Sequence, residues 1–262
     1  IAVDEAREAG IEHFIFVTGR NKSVIEDHFD KQYELESTLR KRGKSSELDI
    51  LEQDLPGAGQ TSFTRQQEPL GLGHAIWCAR SIVGDEPFAV LLPDMVMHAR
   101  PGCLSQMIAT YNERGGGNVI AVEKVEPDQV HRYGVVGAKD WRGNSFTIDR
   151  MVEKPKPKDA PSNLIISGRY ILQPEVFAEI SAQAPGAGGE IQITDAMIRL
   201  MARQPFHGLA YEGTSYDCGD KLGFLAANVV YGLERHDLGP GFRLELQKII
   251  ADHGGRLTWK AE

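Results

Sequence analysis

PFAVLLPDMV, residues Pro87–Val96, is an apolar run closed by a proline–aspartate turn. Uninterrupted apolar positions between turn signals read as a strand buried on both faces, the pattern of a parallel sheet with helices above and below it. Asp94 then stands where that strand reaches its carboxyl end. Upstream, SFTRQ (Ser62–Gln66) reads as a short strand and EPLGLGHAIWCARSIV (Glu68–Val83) as a Gly-rich loop entering a helix. Further back, DEAREAG (Asp4–Gly10) ends a helix on a glycine, and IEHFIFVTG (Ile11–Gly19) has the aromatic and β-branched content of a strand. Between them, the charged stretch Lys31–Leu55 carries acids and bases three and four apart with leucines interspersed, a surface helical excursion.

Downstream, the alternation continues. CLSQMIATYNERGGG (Cys103–Gly117) reads as a helix with a glycine stop, and NVIAVEKVE (Asn118–Glu126) as the next strand. YGVVGAK (Tyr133–Lys139) and SFTIDRMVEKP (Ser145–Pro155) flank the turn WRGN as a hairpin. LIISGRYILQ (Leu164–Gln173) is a strand, PEVFAEIS (Pro174–Ser181) and EIQITDAMIRLMAR (Glu190–Arg203) are helices, and HGLAYEG (His207–Gly213) is a strand. KLGFLAANVVYGLER (Lys221–Arg235) is a helix followed by a helical tail within residues 238–262. Strands alternating with helices imply an α/β, doubly wound, mostly parallel sheet with an antiparallel or mixed insertion at the hairpin. Ligands of such sheets gather at the carboxyl ends of strands.

The 262 residues suit a single α/β domain, with 41% hydrophobic and 25% charged residues. A net charge of -8 argues against a nucleic-acid surface but permits a local basic cluster that binds a nucleotide. Three dispersed cysteines, Cys78, Cys103 and Cys218, have no metal-ligand spacing and fit a reducing, cytoplasmic setting. No apolar run approaches the length of a membrane span, and the N-terminal residues lack the pattern of a signal peptide. The eight histidines form no HxxxH or HxH pair. Because DEAREAG reads as the second half of a helix, a segment upstream of Ile1 is expected.

Several clusters have chemistry to offer. Asp94 is either a metal ligand or an exposed turn acid, since Mg²⁺ takes oxygen ligands from carboxylates and substrate phosphates. In RQQEPLGLGHA, Gly71 and Gly73 permit close backbone approach, and the glutamine amides suit a nucleobase edge. The alternative is a plain turn at a helix start. In MVEKPKPKDAP (Met151–Pro161), Glu153 and Lys154 meet one ligand only if the strand ends or bends there, because neighbouring strand residues face opposite ways. Pro155 favours that ending. A carboxylate suits sugar hydroxyls and an ammonium suits phosphate. Glu190 either holds hydroxyls or favours a helix N-terminus, and Asp217 in SYDCGDK is either a second metal ligand or part of a turn.

Together FTRQQEPLGLGHA, LLPDM, YGVVG, MVEKPKP, ISGRYIL, GGEIQITDA and YDCGDK resemble the bacterial UTP–glucose-1-phosphate uridylyltransferase family in order and spacing, over nearly the whole chain. The resemblance implies a nucleotide-diphospho-sugar transferase fold: a mixed sheet flanked by helices. It assigns Gln66, Pro69 and Gly71 to a uracil-recognition loop and Asp94 to a Mg²⁺ ligand. Gly134, Glu153, Gly168 and Glu190 fall in the glucose pocket, and Lys154 on the sugar phosphate. Asp217 matches a metal-binding aspartate of related thymidylyltransferases. Those relatives tend to carry an arginine where this chain has Gly188, which favours the uridylyl branch. Family members open with a GLGTR-type phosphate loop and a KEMLP-type lysine, both of which would precede Ile1.

The implied reaction joins UTP and α-D-glucose 1-phosphate to give UDP-glucose and pyrophosphate with Mg²⁺, in a cytoplasmic homodimer or homotetramer. Two alternatives are a thymidylyltransferase or other sugar-nucleotide pyrophosphorylase, and a non-catalytic nucleotide-sugar-binding module. The apolar stripe Phe242, Leu246, Ile249 and Ile250 faces either the chain's own core or a partner subunit.

Overall fold

Nine consecutive buried residues, Leu164–Leu172, form the strand around which the main sheet assembles in a computed structural model. The structure describes residues 1–184, 186 and 189–254. In chain order the first elements are α1 (Ala2–Glu8), β1 (Phe14–Thr18), α2 (Ser23–His28), α3 (Tyr33–Lys41), α4 (Ser45–Asp54), β2 (Thr61–Arg65), α5 (Leu72–Cys78) and α6 (Arg80–Val83). Then come β3 (Phe88–Leu91), β4 (Met95–His98), α7 (Cys103–Glu113), β5 (Asn118–Lys124), β6 (Gly134–Arg142), β7 (Ser145–Glu153) and β8 (Leu164–Leu172). The last are α8 (Val176–Ser181), α9 (Ile193–Leu200), β9 (Phe206–Ala210), β10 (Thr214–Asp217), α10 (Lys221–Glu234) and α11 (Gly239–Gly254).

The six-stranded sheet runs in the order β3-β8-β5-β9-β7-β6, and β6 also pairs with β8. Among the described residues only β5–β9 and β1–β2 pair in parallel; the other ladders are antiparallel. The sheet is therefore mixed, and the mostly parallel arrangement expected from strand–helix alternation does not form. A parallel return needs a crossover of a dozen or more residues, usually a helix. Between β7 and β8 the chain has one short 3₁₀ turn, Pro157–Asp159, and the two strands run in the same direction without pairing; β8 instead pairs antiparallel with β3, β5 and β6. The β6–β7 hairpin forms as expected around Trp141–Asn144, and it joins the sheet rather than standing apart as an insertion.

Alternate residues of these strands face two helical layers. Ile120, Val122, Val136, Ile166 and Leu172 pack with Ile76 of α5, Phe177 of α8 and Met197 of α9. On the other face Val119, Ala121 and Ile171 meet Ala6 of α1 and Leu104 and Met107 of α7. Each such side chain removed from water contributes about 1.5–3 kcal/mol before entropy is counted. β3, which reads in sequence as a fully buried strand, is half-buried throughout, because it lies at the sheet edge. A cleft of about 1260 Å³, lined by Phe14, Phe16, Phe88 and Val90, lies between β1 and β3.

One ion pair sits inside the second layer. The Arg169 guanidinium, fully buried, donates to both carboxylate oxygens of Glu5, with Nη2 at 2.9 Å from Oε2. Its Nη1 donates to the carbonyls of Leu92 at 3.0 Å and Gly168 at 3.2 Å. Glu5 Oε1 also accepts the Leu104 N–H at the start of α7. This cluster ties α1, α7, β8 and the end of β3 together. The charged stretch after β1 folds as the helices α3 and α4, bridged by Arg40 between Glu36 and Glu52. Among the described residues no helix is long and apolar enough to cross a membrane.

Candidate active site

The strand β7 ends at Glu153, and the next residue, Lys154, has φ +45. That left-handed conformation is uncommon outside glycine and recurs where side chains are aimed for function. It turns the chain so that Glu153 and Lys154 no longer point to opposite faces: Lys154 Nζ lies 4.0 Å from Glu153 Oε1. The Lys154 N–H is held by the Tyr133 carbonyl at 3.0 Å, and Pro155 behind it is buried. Lys156 and Lys158 are exposed, as expected for solvated residues.

Across the ladder, Gly134 pairs with Glu153. A Cβ at Gly134 would come within 3.1 Å of Glu153 Oε2 and 3.0 Å of Ile166, so glycine leaves the room that the carboxylate uses. Thr194, buried in the first turn of α9, donates its hydroxyl to Glu153 Oε2 at 2.7 Å. Sequence reasoning missed this residue; its place in QITDA shows only a helix position. Nearby, burial and then the Glu153 carboxylate push the Tyr170 hydroxyl above its ordinary pKa.

Asp94 lies in the exposed turn between β3 and β4, and Asp217 ends β10. Antiparallel pairing of β4 with β10 sets Asp217 opposite Met95, beside Asp94. The Cys218 N–H donates to the Asp94 carbonyl at 2.7 Å, and the Gly219 N–H to Asp217 Oδ1 at 2.9 Å. A Cβ on Gly219 would lie 3.0 Å from Asp217 Oδ1 and 3.7 Å from Asp94 Oδ2, so the two carboxylates converge on one glycine. Burial raises the Cys218 thiol pKa, and both aspartates add to the rise. Among the described residues no group of three or more acidic, histidine or cysteine side chains could hold a metal ion. Two carboxylates nonetheless fit Mg²⁺ that draws its remaining oxygens from phosphates and water.

Gly168 joins these parts. At φ +75 it sits where the β5–β8 register shifts, its carbonyl accepts the Leu92 N–H, and a Cβ there would collide with Met95 at 2.9 Å. Tyr133 holds Lys154 through its carbonyl, and its hydroxyl pKa is raised by burial first, against the lowering effect of Arg132, with Asp217, Glu123 and Asp220 adding to the rise.

The Gln66–Gly73 loop packs on the segment before α9. Ile191 N–H donates to Leu70 O at 2.7 Å, and Gly73 N–H to Ile191 O at 2.8 Å. Gly71, at φ +100, has Glu190 so close that a Cβ would lie 2.9 Å from the Glu190 Cβ. Glu190 itself is exposed, accepts from Gln192 Nε2 at 2.7 Å, and precedes α9 by three residues, so it does not act on that helix's N-terminus. Pro69 is exposed at the loop tip. Gly188 lies outside the described residues. The large cleft between β1 and β3 is lined by none of the site residues that the sequence motifs single out; its wall is mostly apolar, with Asp4, Glu12, His13, His28, Glu86 and Arg169 also reaching it.

The nucleotidyl transferase family model matches residues 1–232. The Bacillus subtilis UTP–glucose-1-phosphate uridylyltransferase YngB is 41% identical over 248 residues, covering 95% of this chain and 83% of that protein. The chain belongs to the UTP–glucose-1-phosphate uridylyltransferase family. Among solved structures, the UTP-bound enzyme of Acinetobacter baumannii superposes with a TM-score of 0.84 at 39% identity, covering 96% of this chain and 86% of that one. A UDP-glucose pyrophosphorylase complexed with UDP-glucose gives 0.77 at 37% identity, covering 89% and 86%. In this chain the residues that sequence motifs single out come together in three pairs, Asp94 with Asp217, Gly134 with Glu153, and Gly71 with Glu190.

Proposed function

We infer that the chain transfers the uridylyl group of UTP to α-D-glucose 1-phosphate, forming UDP-glucose and releasing pyrophosphate. The observation that carries this reading is the pair of aspartates converging on Gly219, in the same chain as the Glu153–Lys154 corner at the end of β7. The first cluster suits a phosphate-bound cation, and the second suits a sugar phosphate. A non-bridging oxygen of glucose 1-phosphate attacks the α-phosphorus of UTP in line, and pyrophosphate leaves from the opposite side. The attacking oxygen is already anionic, so no strong base is required. What the protein supplies is alignment of two mutually repelling anions.

In this reading Lys154, with an ammonium more than half exposed, neutralises the sugar phosphate. Glu153, held by Thr194, accepts sugar hydroxyls with its other oxygen, and Gly134 and Gly168 leave room for the ring. Glu190 closes the pocket from the loop side. Asp94 and Asp217 would hold Mg²⁺, which when bound offsets triphosphate charge. Gln66, Pro69 and Gly71 meet the base. Exposed Leu222, Phe224, Leu225, Ile249 and Ile250 on α10 and α11 support a homodimer or homotetramer; Phe242 and Leu246 are half-buried, with Phe242 against Gly232. Three free cysteines support a reducing cytoplasm.

The direct test is pyrophosphate release and UDP-glucose formation by the purified full-length protein with UTP and glucose 1-phosphate. Binding of UDP-glucose without any pyrophosphate release would instead support a non-catalytic module. Asp94→Asn is expected to shift the magnesium titration of activity to at least tenfold higher concentration, as removing a charged ligand does. It is also expected to weaken Mn²⁺ binding followed by electron paramagnetic resonance.

A further inference from the structure

The Gln66 carboxamide is oriented by its neighbours. Its nitrogen Nε2 lies 2.9 Å from the Gly71 carbonyl oxygen and 3.1 Å from His74 Nδ1. A carbonyl oxygen only accepts, so the atom facing Gly71 must be the amide nitrogen. That same nitrogen only donates, so His74 Nδ1 must present a lone pair and the ring proton must sit on Nε2. Both N–H bonds of Gln66 are then committed inside the loop, and the oxygen Oε1 is the polar atom left for a ligand. His74 is itself held in place. Its ring stacks on Trp77 with centroids 5.9 Å apart and 19° between planes, and the Trp77 indole N–H donates to Ser181 at 2.7 Å.

We propose that His74 tunes base specificity by helping the Gly71 carbonyl to lock the Gln66 carboxamide with its oxygen towards the base. The site then takes a pyrimidine that offers an N–H at ring position 3, the imide edge of uracil. It rejects cytosine, which presents a lone pair at that position. The proposal rests on the reading that Gln66 meets the base, and it makes His74 a positioning residue that acts through Gln66. Thymine carries the same imide, so His74 discriminates uracil from cytosine and not from thymine. A site arranged for a donor disfavours a ligand that brings a second acceptor, because both lone pairs stay unpaired.

The experiment compares UTP and CTP as co-substrates of glucose 1-phosphate, using full-length wild type, His74→Phe, His74→Asn and Gln66→Ala. His74→Phe keeps a planar ring for Trp77 but removes one of the two acceptors of the amide nitrogen, leaving the Gly71 carbonyl alone to orient it. Its UTP-over-CTP preference in kcat/KM is expected to fall by about tenfold or more, the range for loss of a buried polar match. The change should come through the nucleotide KM, with the glucose 1-phosphate KM unmoved. His74→Asn can place its side-chain oxygen near the former Nδ1 and is expected to retain most of the preference. An unchanged preference in His74→Phe, with the preference lost in Gln66→Ala, overturns the role of His74 while leaving Gln66 as base reader. An unchanged preference in Gln66→Ala overturns the base-reading assignment itself. Nitrogen NMR of the wild-type imidazole checks the tautomer without any substitution, and a proton found on Nδ1 also overturns the proposal.

Discussion

Two glutamate–cation pairs in this molecule have opposite characters. Glu5 and Arg169 are sealed between α1, α7 and β8, in contact at 2.9 Å, with the arginine wholly inaccessible and its remaining donors used on two carbonyls. Glu153 and Lys154 stand 4.0 Å apart at a strand end, with the lysine 54% exposed. The first pair has no bonding capacity left over and acts as a fastener. The second is underused by the protein and keeps capacity for a ligand. A charged pair's saturation, rather than its presence, therefore separates scaffold from site.

Breaking the sealed pair tests this contrast most severely. Arg169→Met leaves the buried Glu5 carboxyl without its cationic partner, and is expected to lower the unfolding free energy by about 3–5 kcal/mol, read from urea denaturation. Adding Glu5→Leu should restore part of the loss but not all, because the Leu104 N–H loses its acceptor. A single variant as stable as the wild type would show that the cluster is not a fastener. Next in size, Lys154→Ala should reduce turnover about a hundredfold, as removal of a charge stabiliser does. Its denaturation midpoint should barely move, and near-normal turnover would remove Lys154 from the proposed chemistry. Smallest is Thr194→Val, which deprives Glu153 Oε2 of its donor. The KM for glucose 1-phosphate is expected to rise about tenfold at constant KM for UTP, in line with one hydrogen bond to a charged group. Thr194→Ser should restore it, and equal shifts in both constants would point to a general structural role.

The sequence made the outline of the fold legible where local signals act alone. The glycine stop before β1, the hairpin about Trp141–Asn144 and the helices α7, α10 and α11 follow from turn chemistry and apolar spacing. Strand direction was not legible, because it depends on which strands become neighbours: β8 runs in the direction of β7 yet pairs antiparallel with β3, β5 and β6. Pro87–Val96 looked more buried than β3 is, since an apolar run does not say whether its strand lies centrally or at an edge. In the site, MVEKP marked the bend at Lys154 through its proline, and the structure supplies the left-handed backbone that the bend needs. The meeting of Asp94 with Asp217 could not be read locally, since the β4–β10 ladder joins segments far apart in sequence. Thr194 and His74 were hidden for a similar reason. Their roles lie in single hydrogen bonds to partners on other elements or loop positions, and such bonds leave no periodic trace.

A single methyl at Gly219 would press on the Asp217 carboxylate and take the space that both aspartates border, yet the position is exposed and little of the core depends on it. Gly219→Ala is therefore expected to crowd the space between the two acids while leaving the fold intact.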